Sequence, residues 1–219
     1  MNRGAAVRGT VFPSLSPMTP WIYLASQSPR RRQLLDQIGV RHELLLPDEG
    51  EDAEALEAVW PGEAPLSYVQ RVTRAKVEAA RDRLVRRGLA PAPILCADTT
   101  VALGERILGK PADAGEAREM LEALSGREHR VMTAVALARP EGGLPVLRVS
   151  LSTVRFAPIG SERIAAYVDS GEPMGKAGAY AIQSGAATWV EYISGSYSGI
   201  MGLPLFETAG LLREAGWSI

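Results

Sequence analysis

Asp98 and Lys110 lie in the stretch PILCADTTVALGERILGKP from Pro93 to Pro111, the first candidate seat of chemistry in the chain. Ile94, Leu95, Cys96, Ala97, Val101, Ala102 and Leu103 make an apolar, partly β-branched run bounded by turn residues, the pattern of a buried strand. Asp98 falls inside it. Gly104-Glu105 suits a two-residue hairpin turn, which would fold Arg106 to Gly109 back and carry Lys110 to the same end of the sheet. An isolated carboxylate in such surroundings is costly, so Asp98 must be paired, hydrogen-bonded or bound to a cation. It is either a structural carboxylate satisfied by neighbouring N–H groups and Thr hydroxyls, or the acidic half of a carboxylate–amine site.

Of 24 basic residues only Lys76, Lys110 and Lys176 are lysine; the rest are arginine. Where arginine is used nearly everywhere, a retained lysine points to a need for a compact ammonium. Arg30, Arg31 and Arg32 follow Ser28 and Pro29, an N-cap and a first-turn proline, so they fall in the first turn of a helix. Cations there oppose the helix dipole unless an anion, such as a phosphate, sits at that end; otherwise the turn is a solvated basic one. Asp48 to Glu54 is strongly acidic. It is either a solvated loop or a second source of metal-binding carboxylates beside Asp98, with Glu51 or Glu49 as donor.

Composition narrows the chemistry. The net charge of −1 argues against a non-specific nucleic-acid binder. One cysteine, Cys96, and two histidines, His42 and His129, cannot build a disulfide framework or a Cys- or His-rich metal site, so any metal is a hard cation on oxygen ligands. The longest uncharged window, Gly9 to Pro29, carries four prolines and is neither a spanning helix nor a signal peptide, which points to a cytoplasmic protein without membrane contact.

The elements that must hold these residues follow in order. Residues 1–20 read as a loose, flexible N-terminal extension and residues 21–219 as one domain. Trp21 to Ala25 is a strand, followed by the helix from Ser28 that Gly39 ends; Val40 to Leu46 is a second strand. Leu66 to Gly88 is a long helix with Leu66, Val69, Val72, Ala75, Ala79 and Leu84 on its apolar side. Asp113 to Glu116 forms a capping box for a helix burying Ala117, Met120, Leu121 and Leu124, stopped by Gly126. His129 to Ala138 and Val146 to Ala157 form a hairpin; Ser161 caps a short helix; Ala179 to Gln183 and Ala187 to Ile193 read as strands; Leu203 to Gly216 is the last helix. Seven glycines between Gly171 and Gly202 imply tight turns or close backbone approach.

Three motifs fail. Gly171 to Lys176 has three residues between its glycines where a P-loop needs four, and Ala177 replaces the Ser/Thr. Gly195 to Gly199 puts Tyr197 where a nucleophile elbow needs serine. No Gly-x-Gly-x-x-Gly follows the first strand.

Taken together, Leu24-Ala-Ser-Gln-Ser-Pro-Arg-Arg, Ala97-Asp-Thr-Thr-Val with Gly109-Lys-Pro, and Gly171-Glu-Pro through Lys176-Ala-Gly-Ala-Tyr-Ala-Ile-Gln183 to Gly195-Ser-Tyr and Gly202-Leu-Pro resemble the Maf proteins, nucleoside triphosphate pyrophosphatases. The resemblance implies an inosine-triphosphatase-like α/β fold, a mixed twisted sheet with flanking helices in two lobes around a central cleft, often a homodimer. It implies cleavage of a nucleoside triphosphate between its α and β phosphates with a divalent cation, Mg²⁺ or Mn²⁺. Asp98, Lys76 and Lys110 match the catalytic positions. Asp98 and Glu51 match the metal positions. Ser28, Arg30, Arg31, Thr99, Lys176 and Gln183 fall on the substrate-binding motifs, with Arg30, Thr99 and Gln183 tied to the base. Thr99 and Ile182-Gln183 resemble the dTTP/UTP branch rather than the 7-methyl-GTP branch. Gln27, Gly175 and Ser184 depart from the family pattern beside these positions. The rival expectation is a nucleotide-binding regulator of septum formation without turnover.

Overall fold

The computed structural model describes residues 20–52 and 54–219. The expected N-terminal extension lies, Pro20 apart, outside the described residues. Strands β1 (Ile22–Leu24), β2 (His42–Leu44), β3 (Ile94–Leu103), β4 (Arg106–Leu108), β5 (Glu128–Ala138), β6 (Val146–Phe156) and β7 (Val190–Ser194) form one seven-stranded sheet. Its order is β2-β1-β3-β5-β6-β7, with β4 beside β3. β1 pairs parallel with β2 and β3, and the remaining pairs are antiparallel, so the sheet is mixed as expected.

Helices cover both faces. Along β3, alternate residues face opposite ways. Ile94, Cys96 and Ala102 pack with Val69, Val72, Val77 and Ala80 of α2 (Pro65–Arg86), while Leu95 and Ala97 pack with Leu34 and Leu35 of α1 (Pro29–Gln37) and Leu211 and Leu212 of α6 (Leu205–Glu214). Farther along that second face, Val101 and Val131 join a separate cluster with α3 (Ala114–Leu124) and α4 (Ser161–Asp169). Between the two clusters runs a polar strip, Thr99, Thr133 and Ser150, paired side by side across β3, β5 and β6. The short helix α5 (Tyr197–Met201) lies on this strip. Close approach there depends on Gly199, where a Cβ would meet the Ser150 Oγ at 3.0 Å.

The local signals behave as their chemistry dictates. Asp113 caps α3 by accepting from the Glu116 N–H at 2.9 Å, and Glu116 reaches back to the Ala112 N–H at 2.7 Å. Gly104 turns the β3–β4 hairpin at φ 59°. Other expectations shift. Ser28 holds the N-cap position of α1, but its side chain makes no capping bond; its N–H donates to Ser26 Oγ at 3.2 Å instead. Gly160, not Ser161, is the N-cap of α4. Leu66 is exposed, because α2 turns Tyr68, Val77, Ala80 and Arg83 inward with Val69 and Val72. Ala179 to Gln183 is not a strand: a 3₁₀ turn ends at Ala179, and Gly178 at φ 68° presses so close to Val101 that a Cβ would sit at 2.8 Å. A second 3₁₀ turn, Gly185–Trp189, takes the first half of the other expected strand and leaves β7 only Val190–Ser194. No helix among the described residues is long and apolar enough to cross a membrane.

Candidate active site

The site opens where β3 loses its neighbours. β5 pairs with one edge of β3 from Ile94 to Ala102. β1 and β4 must share the other edge, β1 at Ile94–Leu95 and β4 at Val101–Leu103. Between them, Cys96 to Thr100 have no strand partner on that side among the described residues. A cleft of about 1330 Å³ occupies the gap, lined by Asp98, Thr99, Lys76, Lys110, Ser28, Arg30, Arg31 and Lys176 among others. Eight of the nine expected catalytic and substrate residues thus meet in one cavity. Gln183 is the exception: it is exposed and outside the lining, while its neighbour Ile182 is buried and part of it.

Asp98 is 6% exposed and does not stand alone. Its Oδ1 accepts from Lys76 Nζ at 2.6 Å, and Lys76 donates again to Glu57 Oε1 at 2.7 Å. The second Glu57 oxygen lies 2.7 Å from Lys110 Nζ. The result is an alternating chain, Asp98–Lys76–Glu57–Lys110, gathered from β3, α2, the 55–57 turn and the second residue after β4. Burial disfavours the Lys76 charge, but the Asp98 and Glu57 carboxylates outweigh it and hold its pKa above the ordinary value. For Glu57, burial is likewise outweighed, by Lys76 and Lys110, and its pKa is lowered. Lys76 and Glu57 therefore keep their charges at neutral pH.

Glu57 lies just past the acidic run Asp48 to Glu54 and belongs to none of the motifs above. Its place is set by α2: Tyr68 Oη donates to the Glu57 carbonyl at 2.8 Å, and Arg71 Nη2 to the Ala58 carbonyl at 2.8 Å. Glu51, the expected metal ligand, also lines the cleft, and its carboxylate is held by two arginines. Its Oε1 and Oε2 accept from Arg83 Nε at 3.1 Å, with a further bond to Arg86, and the Arg83 hydrogen bonds hold its pKa below the usual carboxylate range. Arg83 is itself buried and donates to the Leu45 carbonyl at 2.9 Å, so this pair ties the acidic loop to α2.

The opposite wall is cationic. Arg31 donates to the Gly202 carbonyl at 2.7 Å, Ser26 Oγ at 3.1 Å and Thr99 Oγ1 at 3.5 Å. Arg30 reaches the Met201 carbonyl at 3.4 Å. Burial lowers the pKa of both guanidiniums from a value so high that they stay charged. Lys176 donates to the Glu172 carbonyl, and burial followed by the nearby Arg30 lowers its pKa. The Cys96 thiol, with burial pushing it up to about 12, carries no thiolate chemistry.

A metal must be tested against these donors. Among the described residues no three His, Cys, Asp or Glu side chains are grouped for one. Asp98 and Glu57 nevertheless offer two carboxylates to one cleft, which suits a small hard cation that takes one or two carboxylates and completes its shell with water and substrate phosphate. The cleft as a whole gathers two carboxylates, three ammonium groups, two guanidiniums and a helix N-terminus, a set chemically suited to a polyanion.

Residues 21–215 match the family described as Maf-like protein. A dTTP/UTP pyrophosphatase of Polaromonas sp. is 61% identical over 203 residues, covering 93% of this chain and all of that one. One from Cupriavidus metallidurans is 64% identical over 199 residues, covering 91% and 98%. One from Burkholderia pseudomallei is 63% identical over 200 residues, covering 91% and 96%. Among solved structures, a nucleoside-triphosphatase, or dITP/XTP pyrophosphatase, of Mycobacterium abscessus aligns at TM-score 0.41 and 21% identity, over 63% of this chain and 75% of that one.

Proposed function

The chain belongs to the Maf-like protein family, and from that premise we propose that it is a pyrophosphatase acting on dTTP and UTP, releasing the nucleoside monophosphate and pyrophosphate. The observation that carries the reading within this molecule is the chain Asp98–Lys76–Glu57–Lys110 facing the cationic wall across one cleft. A binding-only regulator of septum formation would need the cations but not a shielded carboxylate positioned among them.

In this reading the triphosphate lies along the cleft, its charge met by Arg30, Arg31, Lys176 and the N–H groups of the first turn of α1 by Ser28. Asp98 orients a water toward the α phosphorus and takes its proton as the new P–O bond forms. The bond from the α phosphorus to its bridging oxygen breaks, and Lys76 and Lys110 stabilise the charge on the departing pyrophosphate. Asp98 and Glu57 would hold a divalent cation, Mg²⁺ or Mn²⁺, which supplies further charge neutralisation and a lower pKa for bound water. Glu51, on the cleft wall, serves in this scheme to secure the acidic loop to Arg83. Gln183 can touch the base only if the turn around it closes over the bound nucleotide. A single domain from residue 21, a cytoplasmic setting and a homodimer go with the family reading, and sedimentation checks the last.

The test is pyrophosphate release. Purified protein incubated with UTP or dTTP and Mg²⁺ or Mn²⁺ should yield pyrophosphate and the monophosphate in equal amounts. Release of orthophosphate, or binding without turnover, would remove the proposal.

A further inference from the structure

We infer that Thr133, a residue outside the cleft, is a positioning residue that makes the Thr99 hydroxyl an acceptor toward the ligand, so that Thr99 receives an N–H or O–H from the nucleoside half of the substrate. The inference rests on the nucleotide reading above. It begins with a proton count. Thr133 is 1% exposed, and its Oγ1 lies 2.7 Å from the Gly199 carbonyl oxygen of α5. A carbonyl only accepts, so Thr133 donates there and its single proton is committed. Thr99, its cross-strand neighbour, has its Oγ1 2.9 Å from that of Thr133. With the Thr133 proton engaged, Thr99 must be the donor in this bond.

Thr99 therefore presents only lone pairs to the cleft. Arg31 agrees in sign: its Nη2, which can only donate, lies 3.5 Å from Thr99 Oγ1. The hydrogen bonds run one way, each donor pointing to the next, from Arg31 to Thr99 to Thr133 to the carbonyl of Gly199. A phosphate oxygen has nothing to give such a hydroxyl, so Thr99 does not hold the triphosphate. The nucleoside half has two donors common to UTP and dTTP, the imide N3–H of the base and the 3′-hydroxyl. Cytosine has no proton on N3.

Thr133→Val keeps the shape of the side chain and removes its hydroxyl. The Thr99 proton is then released to point into the cleft, and Thr99 no longer discriminates against a ligand that offers an acceptor where the donor was. Four nucleotides should be compared by kcat/KM and, in parallel, by Kd from calorimetry: UTP against CTP for the imide, and dTTP against 3′-O-methyl-dTTP, whose 3′ oxygen accepts but cannot donate, for the ribose hydroxyl. The expected result is a narrowing of one of these ratios by about fivefold or more, since a lost discriminating hydrogen bond acts on one substrate of the pair. Thr133→Ser, which restores the hydroxyl, should restore the ratio. A narrowed UTP:CTP ratio assigns the donor to the base, and a narrowed dTTP ratio assigns it to the ribose. A proportional fall for all four nucleotides would overturn the inference and reduce Thr133 to packing. No turnover of any nucleotide by the wild type would instead overturn the hydrolase reading, while the calorimetric ratios would still decide the role of Thr133.

Discussion

Replacing Glu57 by glutamine separates the site seen here from the one expected at Glu51. Each Glu57 oxygen lies 2.7 Å from a lysine ammonium, and the side chain is 22% exposed. Hydrogen bonds to charged groups contribute about 1.5–3 kcal/mol each, and partial exposure with a surviving neutral bond reduces the loss, so Glu57→Gln should cost about 1–3 kcal/mol in unfolding free energy. The sign with pH follows from the lowered folded pKa of Glu57: its contribution is full above the ordinary value of 4.5 and disappears as pH falls through the folded pKa. Urea unfolding without metal should therefore show the deficit at pH 7 and a shrinking one on acidification. If Glu57 also serves a divalent cation, the Mg²⁺ concentration for half-maximal pyrophosphate release should rise at least about 10–100-fold, the range for mutating groups that merely support metal ligands. Glu51→Gln should leave that Mg²⁺ requirement nearly unchanged, because its carboxylate is on Arg83 and Arg86. The opposite pattern, with Glu51→Gln shifting the Mg²⁺ requirement and Glu57→Gln not, would refute the reasoning and make the acidic loop the metal site.

Asp98→Asn should lose nearly all turnover while nucleotide binding, measured by calorimetry, persists; a variant retaining a tenth of wild-type kcat, about 1.4 kcal/mol of barrier, would exclude Asp98 as the principal base. Lys110→Arg should lower kcat although charge is retained, because the bulkier planar guanidinium cannot replace a point charge beside Glu57; unchanged kinetics would return the scarcity of lysine to chance. His129, 2% exposed and 2.8 Å from Tyr180 Oη, has its pKa pulled by burial from 6.5 down to about 4. A neutral histidine in the fold and a protonatable one in the unfolded chain mean stability present above pH 6.5 and lost as pH falls toward 4, by up to about 3 kcal/mol. His129→Gln should flatten that part of the profile in urea titrations, and a wild-type profile level between pH 6.5 and 4.5 would contradict the assignment.

Much of the frame was legible in the chain because its signals are local. The apolar run around Asp98, the Gly104 turn, the capping box at Asp113 and the Pro29 helix start each depend on a few neighbouring residues, and each formed as expected. The three lysines and the paired arginines likewise marked the cleft before any contact was visible, since their residue types were unusual where they stood. Other features were decided by packing. The strand pattern at Ala179 to Gln183 gave way to a 3₁₀ turn because Gly178 must lie against Val101, and that turn left Gln183 outside the cleft. The buried side of α2 is rotated from its apolar stripe because the helix covers both apolar strand residues and the mouth of the cleft, so its inward side carries Lys76 and Arg83 with partners supplied from elsewhere. Glu57 and Glu51 sit in one acidic segment and are indistinguishable by composition. Only the fold, by bringing Tyr68 and Arg71 under one part of that segment and Arg83 under the other, pairs Glu57 with the lysines and Glu51 with Arg83 and Arg86.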